Sequence, residues 1–206
     1  MLIRVATTRA DIPRTGEGIA FVRGEIEPKI AAMDGNRGFA LAVDWSSGRY
    51  LGIAAWTDAE ALEASGHDAP GLIADLARRL HGSKPSVEVF DLVLAHVVKP
   101  LRIGYWGRLA RLEVPVPDFS RAVQRFKDTM LAMFDRYDGL AGTVLFVDRT
   151  SGVLESIIWY DSLRVLRGSA TRAQEVRELL VADVPTVKYV EVSELEVIIA
   201  EMQKPI

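Results

Sequence analysis

Apolar residues in the first third of the chain recur at helical spacing. The stripe consists of Ile19, Val22, Ile26, Ile30 and Met33. Steps of three and four positions put these side chains on one face of an α-helix. The same steps return 104 positions later, with Val123, Phe126, Met130, Phe134 and Tyr137. A buried stripe that persists while its residues change predicts two copies of one fold.

Identical residues at the same offset support this duplication. Several are Gly, Pro or Asp, which mark turns and ends of elements; they include the pairs Pro13/Pro117, Asp34/Asp138, Gly35/Gly139, Asp44/Asp148 and Gly48/Gly152. Near the ends, "VEVFDL" and "VEVSEL" match at an offset of 103. We therefore predict repeats at 1–99 and 100–206, joined near Pro100.

Alternation and helical spacing predict the order β-α-β-β-α-β in each repeat, the ferredoxin-like arrangement. In the first repeat, strands are expected at 2–7, 39–45, 50–56 and 86–97. In the second repeat, strands are expected at 105–115 and 187–200, with a second hairpin between them. Helices are expected at 58–65, 72–80, 163–166 and 172–181, besides the two striped ones. Pro28 should distort the first striped helix.

The hairpin turns have a simple explanation. Gly48 and Gly152 follow short Ser/Thr segments, where a bulge needs positive φ. The Asp44 and Asp148 side chains can accept bonds from turn amides. Gly35 and Gly139 should end their helices in the left-handed conformation.

The strands are apolar on both sides, as in "GFALAV" and "SIIWY". Helices can cover only one face of an antiparallel sheet. Burying the other face against the second repeat would contribute on the order of 10 kcal/mol. We therefore predict an α+β fold in which two ferredoxin-like repeats pack their antiparallel sheets as a dimeric-type α+β barrel.

Composition removes several classes of function. Charged residues make up 26% of the chain and the net charge is −3, so neither nucleic acid nor a membrane is an expected partner. The chain has no cysteine, which excludes disulfides and thiolate chemistry. No signal peptide or spanning segment is evident, and a cytoplasmic protein is expected.

The strand and helix order resembles the dimeric α+β-barrel superfamily, in particular its antibiotic-biosynthesis-monooxygenase-like (ABM-like) domains. The resemblance rests further on Gly38-Phe39 entering the hairpin and on "AWTDAEALEAS" from Ala55 to Ser65. Members are mostly single domains that dimerise, so one chain would here form an intrachain pseudo-dimer. Further homodimerisation stays open.

The resemblance implies oxygenases that need no metal or flavin, haem-degrading enzymes, isomerases or proteins without known activity. The haem-degrading branch uses an asparagine on the first strand and a tryptophan in the second helix. Asn36, the only asparagine, is expected in a turn, so haem degradation is not expected. No cofactor is expected, and His67, His81 and His96 lack metal-ligand spacing.

A ligand pocket is the remaining candidate site. Tyr50, Gly52, Ala54 and Trp56 share one strand face, where two small residues between two aromatic ones leave room for a flat ligand. In the second repeat Tyr160 takes the place of Trp56, on a face whose other residues are bulkier. A core position is the alternative for Trp56.

Three polar residues are further candidates for the ligand pocket. Arg4 and Arg108 lie at matching positions and could hold an anionic or carbonyl group; ion pairs at strand ends are the alternative. His96 could be a general base or a buried structural histidine.

These residues favour a protein that binds a small hydrophobic or aromatic ligand in its first repeat. It could be a cofactor-independent monooxygenase or isomerase acting on an aromatic or polyketide-like compound. The alternative is a non-catalytic structural, sensing or assembly module.

Overall fold

The structure is a computed structural model that describes residues 1–134 and 138–202. The first repeat has strands β1 Leu2–Arg9, β2 Asn36–Asp44, β3 Arg49–Trp56 and β4 Ser86–Val97. Its helices are α1 Thr15–Phe21, α2 Glu27–Ala31, α3 Ala59–Ser65 and α4 Ala69–Arg79.

The second repeat has strands β5 Trp106–Glu113, β6 Leu140–Asp148, β7 Val153–Tyr160 and β8 Lys188–Met202. Its helices are α5 Val116–Phe134, α6 Leu163–Gly168 and α7 Ala170–Asp183. Of the predicted stripe on α5, Val123, Phe126 and Met130 are buried. The stripe's last member, Tyr137, and the side chain of Phe134 lie outside what the structure describes.

The strands are antiparallel and hydrogen-bond in the closed order β1-β3-β2-β8-β5-β7-β6-β4. Each repeat therefore follows the predicted β-α-β-β-α-β order. The α+β fold class, with a closed antiparallel barrel, is confirmed.

The chain divides into two compact units that do not coincide with the two repeats along the sequence. The first comprises Met1–Asp91 with the end of the chain from Leu195, and the second comprises Leu92–Glu194. Strands β4 and β8 thus each contribute to both units. The boundary between residues 99 and 100 concerns the duplication and stays a prediction.

Each unit has its own core between sheet and helices. In the first unit, Val22, Ile26 and Ile30 from the helical stripe pack with the β3 side chains Tyr50 and Trp56. In the second, the corresponding core is centred on α5 and β7. The other face of the first unit's sheet is buried as well, with Val5, Ala42, Leu51 and Ala55 at most 3% exposed, as the two-sided apolar strands predicted.

Pro28 distorts the first helix in a specific way. Val22–Ile26 forms a π-helical turn between α1 and α2, in which the N–H of Glu27 bonds to the carbonyl of Val22, five residues earlier. Proline lacks an N–H and its ring clashes with the carbonyl four residues before it, so regular α-helical bonding fails here. Helix α5 has alanine at the matching position and runs without interruption.

The turns form as predicted. Gly48 and Gly152 have φ of 68° and 73°, and Gly35 and Gly139 have φ of 75° and 87°. The Asp44 carboxylate accepts from the Ser46 amide at 2.8 Å. The Asp148 carboxylate accepts from the Thr150 amide at 2.9 Å.

Candidate functional site

The first unit contains a cavity between the helices and one face of the sheet. Its volume is about 60 Å³, several times the roughly 10–15 Å³ that one water molecule needs. The strands contribute Arg4, Ala6, Thr7, Thr8, Phe39, Leu41, Tyr50, Gly52, Ala54 and Trp56. The helices and the segment before β4 contribute Ile26, Ile30, Ala69, Leu72, Ile73, Leu76 and Pro85. This lining is almost wholly apolar.

The four β3 residues singled out from the sequence line this cavity together. A Cβ at Gly52 would lie 3.7 Å from the Phe39 ring and 3.9 Å from the Ala6 Cβ. Gly52 and Ala54 therefore form a low surface between the rings of Tyr50 and Trp56. Strand alternation alone brings these side chains to one face.

The Tyr50 hydroxyl has a structural partner. It lies 2.5 Å from Thr15 Oγ1, which itself donates to the Ile12 carbonyl at 2.6 Å. Tyr50 is therefore the donor in this pair. Burial raises the pKa of Tyr50, so its phenol is neutral at neutral pH. Because the hydroxyl is bound to Thr15, the aromatic ring is the part of Tyr50 that could contact a ligand.

Arg4 is bound to the end of a helix rather than to an acidic side chain. Its guanidinium donates to Ser65 Oγ and to the Leu62 carbonyl, both at 2.8 Å. Both acceptors lie in the last turn of α3, where the helix dipole favours a cation. The guanidinium also stacks over the Trp56 ring, 5.6 Å from its centroid. Burial lowers the pKa of Arg4.

Trp56 has a hydrogen-bond donor without an acceptor. The residue is 1% exposed, and its Nε1 atom is buried with no partner among the described residues. A buried N–H left unpaired costs about 1–3 kcal/mol. Trp56 also lines the cavity, and packing in the core alone does not account for the unpaired donor.

The second unit contains a smaller cavity at the matching place, with a volume of about 30 Å³. Its lining comprises Arg108, Ala110, Phe126, Met130, Ser156, Ile158, Ala173, Val176, Arg177 and Tyr189. Ser156 and Ile158 stand where the first repeat has Gly52 and Ala54, which reduces the volume.

Arg108 repeats the arrangement of Arg4. It donates to Ser169 Oγ and to the Leu166 carbonyl at 2.8 Å, and to the Tyr160 hydroxyl at 3.3 Å. Its guanidinium lies 5.6 Å from the Tyr160 ring centroid, and Glu194 is 3.9 Å away. Tyr160 is completely buried and belongs to the core of the second unit.

His96 lies apart from the other candidates of the first repeat. It is on β4, in the part of that strand that belongs to the second unit, and it is partly exposed. It does not line either of these two cavities. Asn36, expected in a turn, is instead the buried first residue of β2.

Sequence reasoning missed the residues that hold the site together. Ser65 and Leu62 bind Arg4, and each has an identical counterpart 104 positions later, Ser169 and Leu166. Comparing the repeats pair by pair could have found them. Thr15, the partner of Tyr50, stands opposite Phe119 in that comparison, so no such signal exists for it.

No helix within residues 1–134 and 138–202 is long and apolar enough to cross a membrane.

Two comparisons identify relatives of this chain, whereas no family model matches it. The uncharacterized protein Rv2557 of Mycobacterium tuberculosis is 31% identical over 180 residues, covering 85% of this chain and 80% of that protein. The uncharacterized protein Rv2558 of the same species is 30% identical over 189 residues, covering 91% and 79%.

Solved structures share the fold over the whole chain. A proposed monooxygenase from Fusobacterium nucleatum has a TM-score of 0.78 at 12% identity, covering 100% of this chain and 95% of its own. A proposed monooxygenase from Lactobacillus acidophilus has a TM-score of 0.73 at 16% identity, covering 100% and 98%. An anthrone oxidase-like protein has a TM-score of 0.69 at 14% identity, covering 99% and 94%. The chain therefore belongs to the family of the mycobacterial proteins Rv2557 and Rv2558, and its fold is the ABM-like dimeric α+β barrel, formed by two repeats in one polypeptide.

Proposed function

We propose that the first repeat binds a flat, uncharged aromatic compound that carries a carbonyl oxygen. The observation that supports this most directly is the buried Trp56 indole N–H without an acceptor, in a residue that lines an apolar cavity. A ligand carbonyl would satisfy this donor, while its rings would lie over Gly52 and Ala54.

The ionisable residues that line the cavity favour an uncharged ligand. Among the described residues that line the cavity, Arg4 and Tyr50 are the ionisable ones. The Arg4 guanidinium already donates to two acceptors on α3. An anionic ligand would have to compete with these bonds and lose its own hydration. An anion bound by Arg4 is therefore disfavoured.

The test compares two probes of similar shape, 1,4-naphthoquinone and naphthalene, by equilibrium dialysis. Only the quinone can accept from Trp56 Nε1. A hydrogen bond contributes about 1 kcal/mol, so Trp56→Phe should lower the preference for the quinone over naphthalene by roughly fivefold. The ratio within one protein cancels the different solubilities of the probes, and the absence of cysteine removes thiol adducts.

Trp45→Phe is the matched control, because Trp45 is on the surface and its Nε1 already donates to Glu196 at 2.5 Å. This variant should keep the wild-type preference. Failure of wild-type protein to bind either probe would refute the proposed function. An unchanged preference in Trp56→Phe would refute the assigned hydrogen bond.

A monooxygenase is the second candidate, supported by the names of the structural relatives, which include an anthrone oxidase-like protein. Oxidation of such a compound would convert its CH₂ group and O₂ to a C=O group and water, one oxygen atom going to each product. In this reaction the electrons that reduce O₂ would come from the CH₂ group of the ligand. Protein-dependent O₂ consumption with anthrone separates this candidate from a non-catalytic sensing module.

The assignment to the cytoplasm and any further homodimerisation stay predictions.

A further inference from the structure

The cavities of the two repeats are built from corresponding residues. Ala6 and Ala110 line them from the first strand, and Ala69 and Ala173 line them from the later helix. Each has an arginine of the first strand bound to a helix end. The second cavity therefore lies at the same place in its repeat as the first.

Tyr189, the second residue of β8, lines the second cavity. Among the described residues that line the first cavity, none is an aromatic residue of β4, and on that side the lining includes Pro85, directly before β4. The Tyr189 ring packs against the core of the second unit. Burial raises the pKa of Tyr189, which is consistent with a phenol enclosed by apolar groups.

We propose that the second repeat holds a second binding site for the same class of ligand, which Tyr189 fills with its own aromatic ring. This inference rests on the proposed function of the first repeat for the choice of ligand. The native chain then binds one ligand, and removing the Tyr189 ring makes the second site available.

The Tyr189 side chain and the proposed ligand share the same chemistry. An aromatic side chain is a flat apolar group with one polar atom, which is the chemistry proposed for the ligand. The space that remains beside Tyr189 is smaller than the cavity of the first repeat. Truncation to alanine would enlarge the cavity towards the volume of the first.

The experiment measures how many molecules of 1,4-naphthoquinone bind per chain, by equilibrium dialysis at saturation. Wild type should bind one and Tyr189→Ala two. Ala54→Trp, which places a large ring on the cavity face of β3 between Tyr50 and Trp56, should bind none. The double variant Ala54→Trp with Tyr189→Ala should bind one. Tyr105→Ala is the control, because Tyr105 lines neither cavity, and it should bind one.

The outcomes separate the two proposals. One molecule bound by both wild type and Tyr189→Ala would overturn the second site and leave the proposed function intact. If wild type binds no molecule and Tyr189→Ala binds one, the proposed function of the first repeat is overturned and the second site is supported. If circular dichroism shows that Tyr189→Ala does not fold, Tyr189→Leu keeps an apolar side chain while removing the ring, and a stoichiometry of one in that variant overturns the inference.

Discussion

Arg4 and Arg108 perform the same structural task in the two repeats, since each ties the first strand of its repeat to the end of a short helix. The acceptors are the carbonyl of a leucine and the hydroxyl of a serine, and an aromatic ring lies under each guanidinium. These helix-end bonds were not among the sequence interpretations; Arg108 also lies 3.9 Å from a Glu194 carboxylate oxygen, and a ligand contact of either arginine stays a prediction.

Lysine at these positions should destabilise the protein, because an ammonium group cannot reproduce the two parallel bonds of a guanidinium. Hydrogen bonds to charged groups contribute about 1.5–3 kcal/mol each. We expect Arg4→Lys to lower the free energy of unfolding by about 2 kcal/mol and Arg108→Lys by more, since Arg108 is 7% exposed and has an additional tyrosine partner. Urea unfolding followed by circular dichroism measures both.

Arg9→Lys provides the control, because Arg9 is exposed at the end of β1. Its stability should stay within about 0.5 kcal/mol of wild type, as for most surface substitutions. Equal stability of Arg4→Lys and wild type would show that the helix-end bonds of Arg4 contribute little.

At the same scale, the sequence predicted which side chains share a face but not what their polar atoms bind. Alternation places Tyr50 and Trp56 together whatever the rest of the fold does. The partner of the Tyr50 hydroxyl, Thr15, comes from another element, and its position depends on packing that no local pattern encodes.

At the scale of elements, the two hairpins are the part of the fold that the sequence specified most completely. Each has an aspartate, small polar residues and a glycine at positive φ. The hydrogen bonds are local, within three residues, so the sequence alone determines them. The first helix shows the opposite case. Pro28 predicts a disturbance, but the one-residue shift to a π-helical turn depends on which side chains the sheet can bury.

The hairpin carboxylates should contribute to acid sensitivity. Bonds from Ser46 and Ser47 outweigh the opposing effect of burial and lower the pKa of Asp44. A group whose folded pKa lies below its unfolded value of about 3.9 stabilises the protein above that value, and this contribution is lost as the pH falls through the folded pKa. We expect Asp44→Asn to cost about 1 kcal/mol at pH 7, with the difference from wild type shrinking below about pH 4.

Urea unfolding at several pH values between 7 and 3 measures this difference. Asp34→Asn is the control, because Asp34 is exposed, and its stability should follow the wild-type pH dependence. A deficit in Asp44→Asn that stays constant down to pH 3 would mean that the charge of Asp44 is not what the turn requires.

At the scale of the whole molecule, the sequence predicted the duplication, the element order and the α+β class, because these follow from periodic patterns that both repeats retain. It did not predict how the strands are shared between compact units. Ile198 and Ile199 of β8 belong to the core of the first unit, although they lie nearly 200 residues from the start of β1. Pairing between distant segments leaves no periodic signal in the sequence.

This sharing predicts that a repeat is not a folding unit by itself. A fragment of residues 1–99 lacks the β8 segment that pairs with β2 through Ala40 and Ala200, and it lacks the buried side chains Val197, Ile198 and Ile199. Burying one such side chain contributes roughly 1.5–3 kcal/mol, so losing three removes an amount comparable to the roughly 5–15 kcal/mol stability of a whole domain. We expect this fragment to show no cooperative urea unfolding transition, whereas co-expression with residues 100–206, which contain β8, should restore one. A cooperative transition of fragment 1–99 alone would mean that the duplicated halves are independent domains, and the single closed sheet would then not be required for folding.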